Sequence, residues 1–213
     1  MKLSSATTLL ISFSSLLILI CVFVDRFVHP DPERFIVFIS EAGARFPGSI
    51  PFQIALIPVS FCIPVLCALY CHLEQKKRLL EKQSVLFHSI KLLSIISASG
   101  LLLLTVVPIS IMFSLHVYGA QIFFVSQLCN VILITIDSHS VKSKRCSPRF
   151  WLNYRLTILL ILIVCIPTYL TFTFTQYLVP GAIFQYFSVL SLLLFFISLR
   201  HEFGDVSFAL SSF

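Results

Sequence analysis

The sequence is poor in charged residues, which excludes a water-soluble fold. Only 11% of its 213 residues are Asp, Glu, Lys or Arg, whereas soluble proteins carry about 25%. Hydrophobic residues make up 58%, and the mean hydropathy is +0.99. These values predict a membrane protein. Too little polar sequence remains for a second domain, so we predict a single membrane domain over residues 1–213.

Sequence motifs of common enzymes and metal sites are also missing. The chain contains no Gly-x-Ser-x-Gly, no His-Glu-x-x-His and no P-loop, the motifs of many hydrolases, zinc proteases and nucleotide-binding enzymes. A zinc site needs three or four protein ligands, and no spacing of His, Cys, Asp or Glu suggests one. We therefore expect no metal and no cofactor, and we favour a non-enzymatic protein. No Asn-x-Ser/Thr sequon occurs, so we expect no N-glycan.

Six apolar runs predict an all-α, polytopic fold with six transmembrane helices in one bundle, because a span needs about 20 apolar residues. The runs lie at 8–24, 50–71, 92–115, 117–136, 156–175 and 181–199. The first lacks a cleavage pattern and is interpreted as an uncleaved span; a secretory signal peptide is the alternative. The stretch 92–136 would form a helix of about 67 Å and must turn back. We predict the turn at 116–119 and a kink at Pro108.

Basic residues predict the orientation of the bundle. Lys and Arg concentrate in the loops 72–91 and 137–155, whereas the loop 25–49 contains three Arg residues. The positive-inside rule then places both termini in the cytosol and 25–49 in the lumen or outside the cell. The net charge of +6 is thereby explained without nucleic acid. We expect membrane lipids as partners, with other membrane proteins as a further possibility and no nucleic acid.

The polar segment within 35–52 provides the candidate site. Glu41 would bind a lipid head group or handle a proton; alternatively, it pairs with Arg45 or caps a helix. His116 is predicted at the same end of the bundle, where it would share a ligand with Glu41 or be a polar turn residue. We predict a lipid or ligand contact site, without catalytic residues, at Ser40, Glu41, Gly43 and His116.

Further candidates lie in or beside the spans. Three intramembrane amides would hydrogen-bond across helices or line a lipid or ion path: Gln127, Asn130 and Gln185. Cys71 and Cys146 lie near the predicted cytosolic face, where they are candidates for palmitoylation; the alternative is that they are small buried residues.

Several short motifs resemble a six-span membrane family. Its signature reads roughly Ile-Ser-Asp-Thr-Gly, then Pro-Glu-Ser, then Phe. The corresponding residues here are Ile39-Ser40-Glu41-Ala42-Gly43, Pro47-Gly48-Ser49 and Phe52. Later matches are His116 before Gly119-Ala120, Phe195-Phe196, and Glu202-Phe203-Gly204-Asp205-Val206. The chain departs from the signature at Ala42, in place of Thr, and at Gly48, in place of Glu.

This family includes the damage-regulated autophagy modulators (DRAM), a GPI-anchor lipid remodelling factor of the Golgi and regulators of phosphatidylinositol 4-kinase. The resemblance implies an endomembrane protein, and for the DRAM subgroup it implies autophagy or lysosomal function. The first alternative is a GPI-anchor lipid remodelling factor or enzyme partner in the Golgi or endoplasmic reticulum. The second is a plasma-membrane scaffold for a phosphoinositide kinase. The residues between His116 and Gly119 also lack the acid that the family pattern has there. If the family's luminal acids act on a lipid, this chain lacks one or two of them.

Overall fold

Every element that the structure describes is helical. The computed structural model describes residues 3–30, 36–78, 85–141, 149–175 and 178–203. Its helices are α1 (Leu3–Val28), α2 (Ile39–Ala42), α3 (Ser49–Arg78), α4 (Val85–Val106), α5 (Phe113–Val141), α6 (Arg149–Thr175) and α7 (Leu178–Phe203). The predicted all-α fold is confirmed.

Six helices within the described ranges are long and apolar enough to cross a membrane, namely all except α2. Large apolar side chains such as Phe27, Phe61 and Leu160 are exposed on the outside of the bundle, where lipid would solvate them. The chain is therefore an integral, multi-pass membrane protein, as its composition predicted. We call the end of the bundle that carries α2 the α2 end; its luminal location stays a prediction.

The predicted turn between the third and fourth spans is wrong by several residues. α4 ends at Val106 and α5 begins at Phe113, so His116 lies inside α5 rather than in the turn. The physical reason is Pro108, which we expected only to kink a continuing helix. Proline disfavours the α conformation in the preceding residue and has no backbone N–H to donate. Because the residues around Pro108 are apolar, hydropathy alone does not distinguish this helix end from the interior of a span.

Charged residues that we assigned to loops lie inside helices. Asp25 is in α1, Asp137 in α5 and Arg155 in α6, and each is at most 2% exposed. Hydropathy treats a charged residue as a span boundary, but a helix accepts one at its end where neighbouring helices supply partners. The helices therefore extend beyond the predicted spans into the intervening loops.

Two glycines bring α4 and α5 into close contact. A Cβ atom on Gly100 would lie 2.6 Å from the backbone nitrogen of Phe123, and a Cβ on Gly119 would lie 2.9 Å from that of Leu104. Small residues allow such close approach between membrane helices.

Candidate functional site

The short helix α2 is fixed to the bundle by a buried amide. The Gln185 side-chain oxygen accepts a hydrogen bond from the backbone N–H of Ile39 at 2.8 Å. The Gln185 nitrogen lies 3.4 Å from the Tyr169 hydroxyl and donates to it. The first N–H groups of a helix have no partner within it, so Gln185 on α7 satisfies one of them. This bond holds the segment after Phe38 against the membrane helices.

Two glycines keep the chain after α2 close to its neighbours. A Cβ atom on Gly43 would collide with the ring of Phe52. A Cβ on Gly48 would lie 2.5 Å from the carbonyl oxygen of Ala42 and 3.3 Å from that of Cys21. Position 48 is the one where the family signature has Glu, and this backbone leaves no room for that side chain.

An internal cavity of about 80 Å³ lies beneath α2 and is lined by both Ser40 and His116, together with Gln185. Its remaining walls are almost entirely apolar and include Phe52 and Ala120. Complete ligand sites occupy roughly 300–1,000 Å³, so this cavity has room for only part of a ligand. Its composition suits one end of an apolar molecule that presents one or two polar atoms.

His116 has a defined orientation at the cavity wall. Its Nδ1 atom lies 2.7 Å from the carbonyl oxygen of Val107. Because a carbonyl can only accept, Nδ1 carries the proton, and in the neutral ring Nε2 is then the acceptor. The bond also ties α5 to the backbone that follows α4. Ser40 is 7% exposed and lines the same cavity from α2.

Only two of the four predicted contact residues meet at this cavity. Ser40 and His116 line it, whereas Glu41 and Gly43 do not. Glu41 is half-buried on α2, and Gly43 is buried beside Phe52. The structure therefore gives Gly43 a packing role. It does not bring Glu41 and His116 together at the cavity.

The intramembrane amides of α5 face the bundle interior. In the amide orientation that satisfies both partners, Asn130 donates to the Ile90 carbonyl and accepts from the Ser94 N–H, each at 3.2 Å. It thereby bridges α5 to α4. Gln127 is 1% exposed, and its side-chain nitrogen has no hydrogen-bond partner in the part of the chain that is described.

Of the two palmitoylation candidates, Cys71 lies within the described residues and Cys146 does not. Cys71 is fully buried in α3, and its thiol donates a weak hydrogen bond to the Phe87 carbonyl at 3.8 Å. Acylation of Cys71 would therefore require the bundle to open at that point. Cys146 lies outside the described residues.

A buried polar cluster at the end opposite α2 escaped the sequence analysis. The Tyr70 hydroxyl donates to Asp137 at 2.8 Å, while Arg155 donates to the hydroxyls of Ser138 at 2.6 Å and Ser198 at 3.0 Å. These bonds join α3, α5, α6 and α7. The available signal was helical spacing, since Asp137 follows the buried Asn130 by two turns on the same face.

The chain matches a known protein family. The sequence model described as "Frag1/DRAM/Sfk1/Cwh43P N-terminal domain" matches residues 1–206. No curated protein and no solved structure matches the chain. Among the described residues, no three His, Cys, Asp or Glu side chains lie close enough to hold a metal ion.

Proposed function

The chain belongs to the Frag1/DRAM/Sfk1/Cwh43 family, and we propose that it is a non-enzymatic, DRAM-like modulator of autophagy in lysosomal or endosomal membranes. Its working part, in this proposal, is a luminal lipid-contact site at the α2 end. One observation carries the site: Ser40 on α2 and His116 on α5 line the same internal cavity. The hydroxyl and the imidazole would each hydrogen-bond one polar atom of a bound lipid.

The composition of the cavity favours a lipid over an ion. Its walls are apolar apart from a few hydroxyl, amide and imidazole groups. An ion would need several oxygen or nitrogen ligands in place of hydrocarbon. An apolar chain end gains free energy from burial there, and the polar groups select how it is oriented.

Rescue of autophagic flux tests this proposal. Cells that lack the protein would receive the wild type, Ser40→Ala or His116→Asn. The Asn amide can still donate to the Val107 carbonyl, so His116→Asn removes the Nε2 acceptor while keeping the bond at Nδ1. We expect normal protein levels and a loss of flux with both variants. Full rescue by both would refute the proposal.

A matched control is available on α4. Ser99 is an exposed serine whose hydroxyl already bonds within its own helix, at 3.0 Å from the Ile95 carbonyl. Ser99→Ala therefore removes the same atom as Ser40→Ala but lies away from the cavity. It should restore flux as the wild type does.

Remodelling of a GPI lipid anchor is the second candidate function. The same cavity favours it, because acyl transfer needs an activated nucleophile and a base, and Ser40 with His116 would supply them. The acyl chains of GPI-anchored proteins, analysed by mass spectrometry in cells lacking the protein, test this candidate. Unaltered chains would remove it.

Subcellular location separates the remaining candidates. Full-length protein tagged at its C-terminus would be co-fractionated with organelle markers. A lysosomal or late endosomal peak supports the autophagy proposal, and a Golgi or endoplasmic reticulum peak supports anchor remodelling. A plasma-membrane peak would instead support a scaffold for a phosphoinositide kinase, acting through its basic loops.

A further inference from the structure

The internal cavity beneath α2 has polar groups on its wall but no charge. None of the described residues that line it is Asp, Glu, Lys or Arg, and its polar members are Ser14, Ser40, His116 and Gln185. Burying an ionised group without a partner of opposite charge costs far more than burying a hydroxyl that is hydrogen-bonded. The cavity is therefore unsuited to a phosphate or carboxylate, and its chemistry favours a neutral ligand.

Two of the polar side chains already form hydrogen bonds within the bundle. The Ser14 hydroxyl donates to the Ala55 carbonyl at 3.3 Å. The Gln185 amide accepts from the Ile39 N–H and donates to the Tyr169 hydroxyl. Ser14 has thus used its only donor, and the amide of Gln185 is held at both its oxygen and its nitrogen. The remaining polar groups, on Ser40 and His116, decide what a ligand must bring.

His116 presents an acceptor to the cavity. No carboxylate among the described lining residues would balance an imidazolium, which favours the neutral ring. Because Nδ1 donates to the Val107 carbonyl at 2.7 Å, Nε2 carries a lone pair and can only accept. The Ser40 hydroxyl can both donate and accept. A ligand that carries an O–H group matches this pair, whereas a ligand with acceptors alone leaves Nε2 without a partner.

We propose that the cavity binds the hydroxyl end of a neutral membrane lipid, which donates its O–H to Nε2 of His116 and accepts a hydrogen bond from Ser40. Sterols and diacylglycerols share this chemistry, since each has one free hydroxyl beside a hydrocarbon body. Phosphatidylcholine does not, because its head group is zwitterionic and has no O–H. The inference rests on the proposed lipid-contact function and names the chemical class of its lipid.

The position of the cavity in the membrane suits such a lipid. On α3 its lining extends from Phe52 to Ile63, a rise of about 16 Å at 1.5 Å per residue. This is roughly half of the 30 Å hydrocarbon core of a bilayer. The polar groups lie toward the α2 end, since Ser40 is on α2 and His116 is in the first turn of α5. A lipid of that leaflet could therefore enter with its hydroxyl already at the right depth.

A thin apolar wall separates the cavity from the surrounding lipid. Ile18, Ile39, Val189 and Leu193 line the cavity and also an outer groove of about 510 Å³ between α1 and α7. The inner cavity, of about 80 Å³, would hold the hydroxyl end. The groove has room for the rest of the hydrocarbon body when these four side chains move apart.

Photolabelling with matched lipids tests the hydroxyl preference. The full-length protein would be reconstituted in phosphatidylcholine vesicles with a trace of diazirine-labelled cholesterol, diacylglycerol, the methyl ether of either one, or phosphatidic acid with the same chains as the diacylglycerol. We expect at least one alcohol to label cavity-lining residues about fivefold more than its methyl ether, the effect of losing one hydrogen bond. Phosphatidic acid should label them less than diacylglycerol.

Each result of this experiment has one meaning. The alcohol that labels the cavity more strongly identifies the source of the hydroxyl. Equal labelling by an alcohol and its ether, stronger labelling by phosphatidic acid, or label confined to the exposed faces of the helices would overturn the proposal.

Variants assign the preference to the cavity. His116→Asn takes away Nε2 and should make alcohol and ether equal, whereas Ser99→Ala, on the exposed face of α4, should keep the difference. Ala120→Leu places a larger side chain in the cavity and should abolish its labelling, whereas Val125→Leu, at an exposed position of α5, should retain it. Melting temperatures of the same samples show that each variant is folded. An unchanged preference in His116→Asn would overturn the pairing of the hydroxyl with Nε2.

Labelling and autophagic flux are separate measurements, so the ligand class and the proposed function can fail separately. Loss of flux in Ser40→Ala and His116→Asn without any preference for an alcohol would overturn this ligand class and leave the proposed function standing. A preference that disappears in His116→Asn, with full flux in both variants, would support the ligand class and refute the role in autophagy.

Discussion

The contact between α4 and α5 can be tested by adding a single carbon. In Gly100→Ala the new Cβ would lie 2.6 Å from the backbone nitrogen of Phe123 and 2.8 Å from the Gly119 carbonyl oxygen. Ordinary contacts begin at 3.4 Å, and both neighbours are backbone atoms that cannot rotate away. The two helices must therefore move apart by several tenths of an ångström. That movement opens the packing around Gly119, one turn from His116.

The net cost of Gly100→Ala follows from two opposing effects. Alanine is favoured over glycine in a helix by about 1 kcal/mol. Overpacking a close contact costs about 1–3 kcal/mol, or more where the backbone must shift. Because the contact is with backbone on both sides, we expect overpacking to outweigh the helix preference and the free energy of unfolding to fall by up to about 2 kcal/mol.

Thermal unfolding of the detergent-solubilised protein measures this effect. Gly100→Ala should lower the melting temperature, whereas Ser99→Ala, on the exposed face of the same helix, should not. Gly100→Ala combined with Gly119→Ala should cost less than the sum of the two, since one separation of the helices relieves both contacts. A melting temperature that stays level or rises in Gly100→Ala would refute the close-packing argument.

Two further predictions concern buried polar groups. Arg155→Lys keeps the charge, but an ammonium cannot reproduce the bonds from Arg155 to Ser138 and Ser198, so thermal unfolding should show a loss of about 1–3 kcal/mol; an unchanged melting temperature would contradict this. Gln185→Leu leaves the Ile39 N–H without its partner at a similar cost. It should raise amide hydrogen exchange in α2 selectively, and exchange equal to wild type would show that α2 is held by other contacts.

Composition predicted the fold class because every residue of a membrane span must be compatible with the hydrocarbon core. The low content of charged residues and the six apolar runs predicted the membrane helices, but not the residues at which these helices begin and end. The turn before α5 shows why: the residues around Pro108 are apolar, and a hydropathy argument takes them as part of a span. Proline's effect on the preceding residue contributes to the helix end there, whereas we had weighed it only as a kink.

Partners across helices explain the other differences. Asp137 and Arg155 were assigned to a loop because a lone charge is costly in hydrocarbon. Asp137 accepts a hydrogen bond from Tyr70 on α3, and Arg155 donates to Ser138 on α5 and Ser198 on α7. No local pattern reveals those pairings between helices. The same limit applied to Glu41. Its acidity made it prominent in the sequence, but the direction in which α2 presents it depends on the anchoring of Ile39.

Residues from several of the family motifs line one cavity. Phe52, Ser40, His116 and Ala120 line it. Gly119 lies in the contact between α4 and α5. If the cavity were only an unfilled part of the core, a side chain that fits into it should stabilise the protein, as cavity-filling substitutions commonly do.

Ala120→Leu turns this reasoning into a measurement that separates stability from activity. The larger side chain would occupy the cavity from α5, so the melting temperature should stay level or rise while autophagic flux is lost. Val125→Leu, at an exposed position of the same helix, provides the matched control and should preserve both. If the cavity is only an unfilled part of the core, Ala120→Leu should give a stabilised protein with full flux. That outcome would remove the lipid-contact site from the proposed function, whereas stability retained with flux lost is expected only if the space itself is used.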